Sequence, residues 1–214
     1  MYPANITRAE AKARAAQLTT TSYHVTVDLT GSATTFTSTS TISFTSLAGT
    51  TFVDLLADSI VEATLDDAPL DVSSYTGERL EVELAEGAHV LAITAVCRYS
   101  NTGEGLHRFV DPVDDRVYCY TQLEVADARR VYACFDQPDL KATFALSVIA
   151  PAHWTVLSNS PEVEPLVAGE LGRWQFAATP AVSTYITALI AGEYHTVRTV
   201  HQGRNAEIPL SLSC

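Results

Sequence analysis

The chain has 214 residues, of which 47% are apolar, 18% charged and 8% aromatic, enough for a real core in one all-β domain. Its 25 acids against 13 Lys and Arg give a formal net charge of -12, which argues against nucleic acid as a partner, because phosphate binding draws on basic side chains. The opening MYPANITRAEAKARAAQLTT lacks the basic start, apolar middle and small-residue cleavage site of a secretory leader, and no apolar run is long enough to span a bilayer as a helix.

Thr7-Arg-Ala-Glu10 has the form of a capping box, and the alanine-rich AEAKARAAQL after it predicts a helix from about Thr7 to Leu18. Almost everything afterwards has the period of strands. Tyr23, Val25, Val27 and Leu29 alternate with polar residues, and Phe36, Ile42 and Phe44 share one parity in a Thr/Ser-rich run. Further strands are predicted over Leu80–Leu84, Val90–Tyr99, Phe144–Ile149, Tyr185–Ile190 and Tyr194–Val200. Turn signals at Asp66-Asp67, Thr76-Gly77, Glu86-Gly87 and Ala191-Gly192 separate them. Strand–helix alternation is missing, so a parallel α/β sheet is not expected. The expectation is a single all-β domain over residues 1–214, mostly antiparallel, with one short N-terminal helix.

The final residues place Ile208, Leu210 and Leu212 on one parity and stop mid-pattern at Cys214. They read either as a last edge strand or as the front part of a longer protein cut between domains. The four cysteines, Cys97, Cys119, Cys134 and Cys214, show no C-x-x-C spacing. Without a leader, reduced thiols in a cytoplasmic protein are expected, Cys119 and Cys134 buried and Cys214 reactive.

None of the motifs of a self-contained catalyst is present. There is no H-E-x-x-H, G-x-S-x-G, phosphate-binding glycine loop or dinucleotide fingerprint, and each histidine reads as a surface or satisfied core residue. The stretch Tyr118 to Asp139 is different. Strand alternation puts Tyr118, Tyr120, Gln122 and Glu124 on one face, with Val117, Cys119, Thr121 and Leu123 inward. A row of two phenols, an amide and a carboxylate is costly to bury alone. It meets solvent, pairs internally with Arg129 or Arg130, or lines a site. Phe135-Asp-Gln-Pro138 reads as a tight structural connection, with Asp136 accepting backbone N–H groups and Pro138 holding Gln137 extended.

Tyr120-Thr-Gln-Leu-Glu124, then Asp127-Ala-Arg-Arg130, then Cys134-Phe-Asp-Gln-Pro-Asp-Leu-Lys-Ala-Thr-Phe144, together resemble the N-terminal domain of aminopeptidase N-type zinc metallopeptidases, the gluzincin aminopeptidases, in a bacterial form. Leu157-Ser-Asn-Ser160 is similar as well, and the resemblance runs over the whole chain. It implies a saddle-shaped β domain belonging to a longer enzyme that removes N-terminal amino acids from peptides. The next domain of that enzyme, the chain's principal partner, would carry a G-x-M-E-N loop and an H-E-x-x-H zinc site. Zinc would therefore belong to the parent, with no catalytic or metal-binding residue and no activity in this chain alone. The resemblance further implies that Glu124 holds the α-ammonium of a peptide substrate and that Gln122 lines the pocket for its first side chain. Gln137 departs from the family, where Glu is common. The alternative is a free-standing β-type binding module, an adhesin or carbohydrate binder, which would normally bring a leader and disulfides.

Overall fold

A computed structural model describes residues 5–202 and 207–213. Helix α1 (Arg8–Gln17) is started by Thr7, whose hydroxyl accepts the Glu10 N–H while the Glu10 carboxylate accepts the Thr7 N–H, the reciprocal box the sequence predicts. The strands follow in chain order: β1 (Leu18–Asp28), β2 (Thr35–Ser46), β3 (Gly49–Asp54), β4 (Ser59–Leu65), β5 (Ala68–Pro69), β6 (Arg79–Leu84), β7 (Gly87–Arg98), β8 (Gly105–Val110), β9 (Val117–Gln122), β10 (Thr143–Pro151), β11 (Thr155–Ser158), β12 (Glu162–Ala168), β13 (Leu171–Phe176), β14 (Leu189–Gly192), β15 (Thr196–Gln202) and β16 (Glu207–Ser213). The fold is all-β, and among the described residues its helical part is α1 with two short 3-10 turns.

The largest sheet runs β12-β13-β10-β1-β2-β7-β4-β5, and a second runs β11-β14-β9-β8. β3 pairs with β6 and β15 with β16. The strand ladders are antiparallel except between β1 and β10, where Tyr23 lies beside Phe144 and Val27 beside Val148. Tyr23, Val25, Val27 and Leu29 are buried, as are Phe36, Ile42 and Phe44, so both alternations point inward as their parity predicts. Ser38 and Ser40 share that inward parity. The Ser40 hydroxyl donates to the Ala133 carbonyl at 2.7 Å, tying β2 to the buried segment 131–135.

One strand expectation and one turn expectation are corrected. The first two residues of the stretch expected as a strand over Tyr185–Ile190 belong to a 3-10 turn, Thr184–Ile186, and β14 starts only at Leu189. Tertiary bonds override the β propensity there: the buried Thr184 hydroxyl donates to Asp136 at 2.7 Å, and the Tyr132 phenol donates to the Thr184 carbonyl at 3.1 Å. Ala191-Gly192, expected as a turn, is the end of β14. Glycine is required because a Cβ at 192 would lie 2.4 Å from the Val117 carbonyl oxygen. Asp66-Asp67 does form the turn between β4 and β5, with positive φ at both residues.

Phe135 to Gln137 is a fully buried connection, so each polar group needs a partner. Cys134 and Asp54 exchange backbone hydrogen bonds. Asp136 accepts from the Arg129 N–H and from Thr184. The Gln137 carboxamide donates to the Ala11 carbonyl and accepts from Arg14. Cys97, Cys119 and Cys134 are buried free thiols; Cys214 lies outside the described residues, as do the side chains of Ile208, Leu210 and Leu212.

Candidate functional site

Strand β9 lies between β8 and β14, and its alternation matches the sequence. Cys119 and Leu123 are buried. Thr121, the polar member of the inward face, is satisfied because its hydroxyl accepts the Leu189 N–H at 2.8 Å. Tyr120, Gln122 and Glu124 are exposed on the other side, with Tyr118 half-buried. Directly opposed residues of an antiparallel pair share a face, so Gly105, His107 and Phe109 of β8 stand beside Gln122, Tyr120 and Tyr118.

Pairing ends at Gln122, two residues earlier than the alternation suggests. Leu123 and Ala128 are both buried and pull the chain into a turn in which the Asp127 N–H donates to the Leu123 carbonyl at 3.1 Å. Glu124 therefore sits in this turn, and its peptide bond to Val125 is cis. It still adjoins Gln122, because its backbone N–H donates to the Gln122 carboxamide oxygen at 2.8 Å.

Internal pairing with the following arginines does not occur. The Arg130 guanidinium is engaged by Asp127 at 2.6 Å, an i,i+3 pair legible in the spacing Asp127-Ala-Arg-Arg130. Arg129 is buried. Among the described residues the Glu124 carboxylate has no hydrogen bond or ion pair. It is a solvated anion beside an amide at the end of a row of rings, a set that suits a cationic ligand with a directional N–H group.

The sequence treats His107 as ordinary, whereas the fold packs its ring, tilted, against Tyr120 with centroids 4.9 Å apart. Only the β8–β9 pairing reveals that contact. Among the described residues no group of three His, Cys, Asp or Glu is arranged to hold a metal ion, so those residues do not fit zinc. No described helix is long and apolar enough to cross a membrane. An apolar hollow of about 30 Å³ lies beneath the inner face of β9, against Val25, Val27, Tyr132 and Phe144. Its floor belongs to the core, and its rim includes the exposed Asn159 and Ala177.

The Peptidase M1 N-terminal domain model matches residues 19–186. Aminopeptidase N of Streptomyces lividans is 47% identical over 98% of this chain and 25% of its own length. Aminopeptidase N of Acetobacter pasteurianus is 34% identical over 77% of this chain and 46% of its own, and aminopeptidase M1-D of Oryza sativa subsp. japonica is 30% identical over 62% and 16%. The chain thus spans a quarter to under a half of the first two relatives. A match over most of the chain, with the ordered series from Tyr120 to Phe144 inside it, places this protein in the peptidase M1 N-terminal domain family.

Proposed function

We propose that the chain is the N-terminal, non-catalytic part of a zinc-dependent aminopeptidase and supplies groups that anchor the amino terminus of a peptide substrate. Relatives named aminopeptidases that extend far beyond the region matched here support the context. The observation that carries the anchoring role is the exposed Glu124 carboxylate, unpaired among the described residues, held beside Gln122 by the 2.8 Å bond from its own N–H.

An exopeptidase must recognise a free α-amino group, cationic over part of the physiological range with a pKa of about 7.7–8.0. A carboxylate fixed in a cleft pairs with that charge and sets the distance to the scissile bond. Gln122 has its oxygen committed to the turn, so it presents N–H donors along the path of the first side chain. Zinc, held by the remainder of the longer protein, would supply Lewis-acid chemistry at the scissile carbonyl. Three buried free thiols fit a cytoplasmic location. Family membership weighs against a free-standing adhesin or carbohydrate binder.

The test has two arms. The gene is read beyond the codon for Cys214; a downstream H-E-x-x-H supports the reading, and an immediate stop removes it. Glu124→Ala in the full-length protein should then lower kcat/KM by roughly 30-fold or more, the cost of stranding one member of a charge pair at about 2–5 kcal/mol, with an unchanged melting temperature. Unchanged kcat/KM, or a loss that only tracks unfolding, takes Glu124 out of the site.

A further inference from the structure

We propose that Tyr120, backed by the His107 ring, is a specificity-determining residue that receives the first side chain of the substrate and favours planar groups, an aromatic ring or a guanidinium. The inference rests on Glu124 and Gln122 acting as the amino-terminal anchor.

The row on this face is closed at one end and open at the other. Beside Gln122 stands Gly105, at φ +67, and the Arg130 stem occupies the place where a side chain on Gly105 would begin, its Cβ 2.8 Å from an ideal Cβ there. Arg130 is itself fixed by Asp127. With that side filled, the open path for the first side chain of a substrate whose α-ammonium sits at Glu124 runs past Gln122 along the row toward Tyr120. Two residues of strand separate those positions, about 7 Å, so short side chains stop at Gln122 and long ones reach the ring.

Tyr120 is built to meet something flat. Its ring is held at 34° to His107 with centroids 4.9 Å apart, yet the residue remains 40% exposed. Its phenol has no hydrogen-bond partner among the described residues. A part-exposed ring, braced by His107 on one side and flanked by Ile190 of β14 on the other, offers offset stacking to an aromatic side chain and a cation–π contact to a guanidinium. The net charge of -12 adds a general attraction for the cation. Phe109 and Tyr118 continue the row beyond it, and Tyr118 packs edge-on against Tyr194 at 4.9 Å.

The experiment uses the full-length enzyme with arginyl, phenylalanyl and alanyl anilides. Tyr120→Ala should lower kcat/KM for the arginyl and phenylalanyl substrates by about threefold to thirtyfold relative to the alanyl one. Tyr120→Phe should keep the preference, and His107→Ala should weaken it. Because loss of folding lowers all three substrates together, the ratio between them isolates the contact. A ratio unmoved in Tyr120→Ala overturns the assignment. Glu124→Ala, measured alongside, should lower all three alike. No effect of Glu124→Ala on any of the three removes the anchor itself, whereas an intact Glu124 effect with a flat Tyr120 ratio removes only the subsite.

Discussion

The backbone N–H of Glu124 donates to the Gln122 side-chain oxygen at 2.8 Å, so one member of the candidate site holds the turn that carries the other. Truncating Gln122 therefore acts on structure as well as recognition. Gln122→Met keeps the length but loses the acceptor. A neutral hydrogen bond contributes about 0.5–1.5 kcal/mol, which in a domain of this size lowers the melting temperature by roughly 1–5 °C. Gln122→Glu keeps an acceptor at the same place and should melt closer to the parent chain. Thermal melts of the 214-residue protein separate the two, and equal melting of both variants would mean that the bond contributes nothing.

A second relationship ties the helix to the sheets. Arg14 on α1 and Asp54 at the end of β3 form an ion pair at 2.7 Å with side chains only 1% and 3% exposed. The same Asp54 oxygen accepts the Asp136 N–H at 3.0 Å, and the Arg14 and Arg79 guanidinium groups lie 4.6 and 4.1 Å from the Phe52 ring. Asp54→Ala strands the buried Arg14 charge and should cost about 3–5 kcal/mol, whereas Arg14→Met should cost less, because Arg79 still faces Asp54 at 3.7 Å. The double variant Arg14→Met with Asp54→Leu should cost less than the sum of the singles. Denaturant titrations of all three decide it; strict additivity would mean that the pair is not coupled.

That pair also marks the limit of what the sequence makes legible. Regular alternation exposes the inward faces of β1 and β2 directly, because a two-residue period leaves Tyr23, Val25, Val27 and Leu29 no other side. The capping box at Thr7 is equally local. Arg14, by contrast, reads as one more charged residue on an alanine-rich helix, and its partner is forty positions away in a strand the periodicity barely marks. Residues 184–186 fail for the same reason: their turn is set by Asp136 and Tyr132, remote in sequence. In the candidate site, Gln122 and Glu124 stand out through residue type and the family resemblance. The turn after Leu123 and the ring pair His107–Tyr120 emerge only from strand pairing.

The thiols give a simple chemical check. Burial pushes Cys97 and Cys119 up to about 12, and Cys134 well above its ordinary value. A thiolate is the reactive species, so none of the three should react with a disulfide reagent at pH 8 in the native protein. Titration should detect no more than one thiol natively, from Cys214, and three additional ones after unfolding. Native reaction of Cys119 would show that the inward face of β9 opens.

The pH dependence of stability should fall in two separable windows. Asp136 is pushed up to about 6 by burial, although the Thr184 hydroxyl and Arg129 N–H pull the other way. Between about pH 4, its unfolded value, and pH 6, the folded chain binds a proton that the unfolded chain releases. Stability therefore declines as pH rises through that interval, by at most about 3 kcal/mol. His89 acts higher. Its ring nitrogens face the Asp66 carboxylate at 2.7 Å and the Ala85 carbonyl at 3.0 Å, and both of those oxygens are acceptors, so the site favours the imidazolium, in which both nitrogens can donate. Burial opposes that charge, but the Asp66 and Ala85 bonds outweigh it and raise the pKa. The resulting stability is fully present below about pH 6.5, the unfolded value, and is lost as pH rises through the folded one. Denaturant midpoints measured from pH 4 to 9 should show both declines. Asp136→Asn should flatten the first and leave the second, and His89→Gln should do the reverse. A His89→Gln profile that runs parallel to the parent chain above pH 6.5 would falsify the imidazolium assignment.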